Sequence, residues 1–177
     1  ALFSSGQYQE IAAVAEAAID ASGADYNVYV PIQNALGALG KQDALKNVRQ
    51  RAIQAFETHL RQVPEDARAR ILLAGAYAYE ERTAEATREA DLAMVLRPND
   101  SNVHYNAACV FCTMSKKSEA MAALAAAGSE QTRKTYARHG APEPMFGVSF
   151  ATLKTLLKRI GVDHELVIGA QEEIFET

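Results

Sequence analysis

The chain has 177 residues, 49% of them hydrophobic, with 7% aromatics, no Trp, only 5 Pro and a formal net charge of −4. That length suits one domain or an extended repeat array, and an Ala-rich, Pro-poor composition favours closely packed helices over sheet. The acidic balance argues against a general nucleic-acid binder, and the lack of an apolar run approaching about 20 residues argues against a membrane span.

The chain opens on Ala1 rather than Met, shows no signal peptide, and reads as a fragment of a longer protein or one missing its ends. The stretch "GQYQEIAAVAEAAIDA" reads as the second helix of a pair whose first helix is missing, with Gly23 ending it. An unpaired helix would leave an open apolar face at this end, which a second copy could cover to form a homodimer. "YVPIQNALGALGK" is the next helix, with Pro31 tolerable only in its first turn. Helices are expected next over residues 43–63, 66–80, 83–96, 101–114 and 117–127, with Asp66, Thr83 and Ser101 as N-caps. The charges spread along "GKQDALKNVRQRAIQAFETHL", and those near Glu80–Asp91, mark solvated helix faces.

An internal period organises these helices. Pro64 and Pro98 stand 34 residues apart, each after a long helical pattern and before a polar pair, in "VPEDARAR" and "RPNDSNVH". In the unit Ala67–Asp100, small or apolar residues fall at Leu73, Ala74, Tyr77, Ala86, Ala90 and Ala93. A step of 34 onward meets Ala107, Ala108, Phe111, Ala120, Leu124 and Ala127. The same step backward meets Leu39, Gly40, Ala52 and Phe56. Small residues where paired helices cross let the axes approach, and an aromatic fills the gap between them. Over about residues 6–127 the chain resembles the tetratricopeptide repeat, a helix-turn-helix of 34 residues. Departures are Asp43 where an aromatic is usual, His59 where Ala is usual, and the absence of Trp. The resemblance implies an all-α right-handed solenoid over residues 1–128, with extra C-terminal helices over 129–177. "DYNVYVPIQNALGALG" and "RPNDSNVHYNAACVF" are also similar to tetratricopeptide segments that bacteria append to signalling proteins, which implies an accessory, partner-binding role.

From Gly128 the composition changes. "SEQTRKTYARHG" reads as a short helix ended by Gly140, and the two prolines of "APEPMFG" exclude helix there. Ser149 is the expected cap of "FATLKTLLKRIG", with Phe150, Leu153, Leu157 and Ile160 on one face and Gly161 ending it; Asp163 is the expected cap of a last helix. The string "YARHGAPEPMFGVSFATLKTLLKRIGVDHEL" resembles the start of the bacterial DNA alkylation repair glycosylases, solenoids of HEAT-like repeats. It covers only about residues 136–166, and no position matches a catalytic residue of that family. From Ser129 onward there are six Lys and Arg against seven Asp and Glu, too few cations to offset phosphate charge along a duplex. DNA binding or a link to alkylation repair is therefore the alternative reading. The main expectation is a helical cap on the apolar end of the array.

No phosphate loop or nucleophile elbow is present, so no enzyme and no cofactor or metal are expected. His59, His104, His139 and His164 show no metal spacing. Cys109 and Cys112 form a C-x-x-C inside an apolar helix, where they read as small packing residues. Free thiols fit a reducing cytoplasm. The tetratricopeptide resemblance implies that the first helix of each pair lines a concave groove for a peptide or protein. The candidate groove residues are Asn34 and Lys41, then Arg68, Ile71 and Tyr79, then Asn102, Tyr105 and Asn106. Asn can hydrogen-bond a peptide backbone, the cations can pair with carboxylates, and Tyr offers amphipathic contact.

Overall fold

A computed structural model describes residues 7–127 and 150–162. All regular structure among them is helical, as the composition predicts: α1 (Tyr8–Ser22), a 3-10 turn (Tyr26–Val28), α2 (Tyr29–Ala38), α3 (Gln42–Gln62), α4 (Ala67–Tyr79), α5 (Thr83–Leu96), α6 (Ser101–Thr113), α7 (Lys117–Ala127) and α8 (Phe150–Arg159). The chain divides into two compact units, Ala1–Glu65 and Asp66–Thr177.

In the first unit α2 packs on both α1 and α3, and the 3-10 turn touches all three. Ile11, Ala15 and Ile19 recur every four residues and form the buried stripe of α1. Gly23, with φ of 57°, ends that helix. Asp25 holds the 3-10 turn by accepting from Asn27 N at 2.9 Å and Asn27 Nδ2 at 2.8 Å. The core of the unit is aromatic. Tyr26 meets Phe56 edge-on at 5.5 Å and His59 at 4.7 Å, while Tyr29 lies 6.4 Å from Phe56. His59, where a repeat would place Ala, is thus a ring neighbour of Tyr26. On the surface, Arg51 of α3 grips Glu16 and Asp20 of α1 at 2.7 and 2.8 Å, an exposed clamp of about 1 kcal/mol or less.

The second unit is built from hairpins. Helix α4 pairs with α5, α6 pairs with α7, α6 packs on both α4 and α5, and α8 packs on α6. The two hairpins repeat each other in detail at a step of 34 residues. Asp66 caps α4 by accepting from Ala69 N at 3.0 Å, and Asp100 caps α6 by accepting from Asn102 N at 3.0 Å and Val103 N at 3.4 Å. Glu81 and Ser115 both sit at φ of 60° in the turns between paired helices. The next residue closes each turn, with Arg82 N donating to Tyr77 O and Lys116 N to Phe111 O, both at 2.9 Å. This is the left-handed C-terminal motif that satisfies the last carbonyls of a helix. Arg82 then turns back over the Tyr77 ring at 4.0 Å and bonds Glu85 through Nε at 2.8 Å. Lys116 pairs with Glu119 at 3.6 Å in the equivalent place. Between the helices, Ala74, Ala86, Ala90, Ala93, Ala107, Ala108 and Ala120 retain no exposed surface.

Two expected caps fall one residue off. Ser101 is the first helical residue of α6, because the extended Asp100 before it already reaches the free amides. Thr83 likewise starts α5, because the turn at Glu81 delivers the chain so that Arg82 takes the cap position; Thr83 Oγ1 donates to Glu81 O at 3.5 Å instead. Ser149 and Asp163, the other expected caps, lie outside the described residues, as does the short helix read in "SEQTRKTYARHG".

The first unit departs from the 34-residue step. Gly40, at φ of 66°, makes the same kind of turn, with Lys41 N donating to Leu36 O at 3.0 Å. Gly40 precedes Glu81 by 41 residues, however, whereas Pro64 precedes Pro98 by 34. The seven extra residues are two further turns of α3, which has 21 residues against 14 in α5. Leu39 and Gly40 therefore lie beyond α2 and not at a helix crossing, and Leu36 takes the place of Tyr77. Asp43 sits in the first turn of α3, where a carboxylate suits the positive end of the helix dipole.

One buried pair differs between the two hairpins. Arg70 of α4 is paired with Glu89 of α5, and both side chains are largely buried. At the same step of 34, α6 and α7 carry His104 and Ala123, and His104 Nε2 donates to Pro98 O at 2.9 Å. Removing one partner of a buried ion pair strands the other charge. Glu89→Ala is expected to lower stability by about 3 kcal/mol in urea unfolding, and adding Arg70→His, which copies the next hairpin, should recover most of the loss. Glu81→Gly and Ser115→Gly should each raise stability by about 0.5–1 kcal/mol, because a side chain at positive φ is strained. The two gains should add, since the turns share no partner.

Candidate functional site

The eight sequence-derived groove residues separate by burial. In the first unit Lys41 is exposed and Asn34 half-buried. In the second unit Tyr79 is 57% exposed, whereas Arg68 and Asn102 are half-buried. Arg68 and Asn102 hold equivalent positions in the first turns of the neighbouring helices α4 and α6. Ile71, Tyr105 and Asn106 are core residues, with Asn106 only 1% exposed. Their burial follows from the sequence of their helices. In α4 every residue from Ile71 to Ala78 is buried, and in α6 every residue from Val103 to Cys112. A helix apolar on all sides is covered on all sides.

Helix α6 nonetheless contains polar groups. Asn106 Nδ2 donates to Asn102 O at 2.7 Å, and its Oδ1 finds no partner among the described residues. His104 Nε2 must carry the proton, since it faces a carbonyl, and this leaves Nδ1 with a lone pair and no partner among the described residues. In the first unit Asn34 Nδ2 is similarly unpartnered. Each such group costs about 1–3 kcal/mol while water is kept away.

Cys109 and Cys112 are free and buried. Burial pushes the Cys112 thiol up to about 11, against a smaller opposing pull from Arg159. Burial raises Cys109 further, with Cys112 adding to it, and also raises the Tyr105 phenol. Thiols held protonated are poor nucleophiles and poor metal ligands. Among the described residues no group of three or more His, Cys, Asp and Glu is placed to hold a metal, and no helix is long and apolar enough to cross a membrane.

Two features were not anticipated from the sequence. Arg159, in the last turn of α8, donates through Nη2 to Cys112 O and Thr113 O, each at 3.3 Å. Lys117, at the start of α7, donates to Gly161 O at 2.8 Å. A cation in the last turn of a helix is a visible signal, but not which carbonyl it will reach. The other feature is an exposed apolar edge on α5, formed by Leu92, Val95 and Leu96. The spacing i, i+3, i+4 places it on one face and could have been read from the sequence. Of the C-terminal face expected from Phe150 to Ile160, Leu157 is fully buried and Ile160 half-buried.

No protein-family model, curated protein or solved structure matches the chain.

The thiols give a test of this core. A buried thiol whose titration is raised binds its proton more tightly folded than unfolded. The stability it contributes is complete below the ordinary value of 9.0 and is lost as pH rises toward 11. The urea midpoint should therefore fall between pH 9 and pH 11, and Cys112→Ala should make that fall shallower.

Proposed function

We propose that this chain is a non-catalytic interaction module, a tetratricopeptide-type helical array that binds a protein or peptide partner. The observation that carries the reading is the 34-residue repetition of α4–α5 in α6–α7. It extends to the capping aspartates, the left-handed turns, the cation–acid pairs behind them and the alanine crossings. Repetition of this kind makes a rigid stack of equivalent surfaces, and a preformed surface binds an extended partner with little ordering cost.

The contact surface in the second unit is drawn from the accessible part of the first helices. Tyr79 supplies an exposed aromatic, Arg68 a cation for carboxylates, and Asn102 a donor and acceptor for peptide backbone. Ile71, Tyr105 and Asn106 act beneath this surface by holding α4 and α6 in place. Lys41 and Asn34 offer a cation and an amide on the first unit.

Partner identification by cross-linking and mass spectrometry, followed by calorimetry, tests the assignment. Arg68→Ala and Tyr79→Ala should each weaken the identified complex by roughly five- to thirtyfold, about 1–2 kcal/mol, with unchanged thermal unfolding. Unchanged affinity in both variants would remove this face as the contact surface.

A further inference from the structure

Helix α8 is seated on α6 by contacts of an unusual kind. Its apolar anchor is Leu157, which retains no exposed surface. Its remaining bonds join helix ends to cations. The last carbonyls of α6 accept from Arg159 of α8, and the carbonyl of Gly161 just past α8 accepts from Lys117 of α7. Terminal carbonyls have no donor within their own helix, and the negative end of the helix dipole attracts cations. Each helix end thus completes the other. These bonds fall on main-chain oxygens and on one lysine, so they recognise the form of a helix end more than a particular sequence.

The attachment of α8 is also local. It packs chiefly on α6, whereas α6 is held independently by α4, α5 and α7. Residues 128–149 separate α7 from α8 in sequence. Twenty-two residues reach up to roughly 70 Å when extended, so the covalent link alone does not confine α8 to its seat. Such a link keeps α8 at an effective concentration of about a millimolar, high enough to compete with a free ligand yet open to displacement.

We propose that the face of α6 beneath α8 is a docking site for an amphipathic helix of a partner protein, and that α8 is its built-in competitor. The occupant in place defines the chemistry of that partner. It carries a large aliphatic anchor, an Arg two residues on and a Gly four residues on, matching Leu157, Arg159 and Gly161. The aliphatic side chain fills the buried position, the guanidinium takes the carbonyls of Cys112 and Thr113, and the left-handed Gly turns its carbonyl toward Lys117. This site deepens the interaction-module reading and rests on it, but it lies apart from the Arg68 and Tyr79 surface and is tested separately.

The probe is a fluorescent synthetic peptide of residues 150–162, titrated against the full chain. Leu157→Asp in the chain should release α8 and empty the seat. The peptide is expected to bind that variant at least tenfold more tightly than it binds the wild type, and a peptide carrying the same substitution should not bind. Cys112 should react rapidly with a thiol reagent in the variant, slowly in the wild type, and slowly again once the peptide is added. If Leu157→Asp loses its helical circular dichroism, Arg159→Ala serves in its place, with an expected gain of about threefold. A folded variant with a reactive Cys112 and no affinity for the peptide would overturn the proposal, as would equal affinity for variant and wild type. A wild-type dimer that Leu157→Asp dissociates would put the α8 of a second copy in the seat and overturn the assignment to a partner protein.

Discussion

The second unit depends on how closely its helices approach one another. Seven alanines, from Ala74 to Ala120, lose all exposed surface where α4, α5, α6 and α7 meet. At such a crossing each added methylene must push a helix axis outward, and close-packed interiors absorb little of that strain. Tyr77 and Phe111 fill the wider space toward the turns. Their carbonyls also accept the bond that closes each turn, so one residue fixes both the packing and the reversal of the chain. The left-handed turn follows as a geometric necessity. Two helices this close need a reversal of three residues, and the chain accepts positive φ at Glu81 and Ser115, neither of them Gly, to make it.

The first unit solves the same problem with larger side chains. Tyr26, Tyr29, Phe56 and His59 meet as rings, and α3 runs two turns longer than its counterpart α5. Rings need no alanine opposite them, so the small-residue pattern that marks the second unit fades. The insertion of seven residues keeps the buried face of α3 aligned, since two turns of helix bring side chains back to nearly the same side. This is why the prolines stay in step across the units while the turns do not.

Much of this was legible in the sequence, because helix ends are written in side chains that act locally. Gly23, Gly40, Gly161 and Asp66 each do what their type suggests. Ser101 misled because two capping residues stand side by side, and only the backbone conformation decides which one caps. The groove assignments misled for a different reason. They came from counting positions in a repeat, and such counting does not register what lies over a helix. The runs "ILLAGAYA" and "VHYNAACVFC" carry apolar residues on every side, and that is the local evidence that Ile71, Tyr105 and Asn106 are interior. The pairing of Arg159 with the end of α6 spans 46 residues or more and joins groups with no complementary side chains, so no pattern in the sequence announces it.

The polar groups inside α6 bear on how firmly that helix is covered. Asn106 Oδ1 and His104 Nδ1 forgo hydrogen bonds that water would supply. In the next hairpin back, Arg70 and Glu89 satisfy each other at the position His104 occupies. The loss of the acid at Ala123 therefore exchanges a paired charge for a half-satisfied imidazole. Any opening that admits water to α6 regains what these groups lack, which lowers the net cost of uncovering the helix. A core helix that is apolar enough to be buried on every side, yet holds unmet polar groups, is covered less tightly than its area suggests. Exchange of one covering element for another of like chemistry is then a smaller step than exposing an all-hydrocarbon core would be.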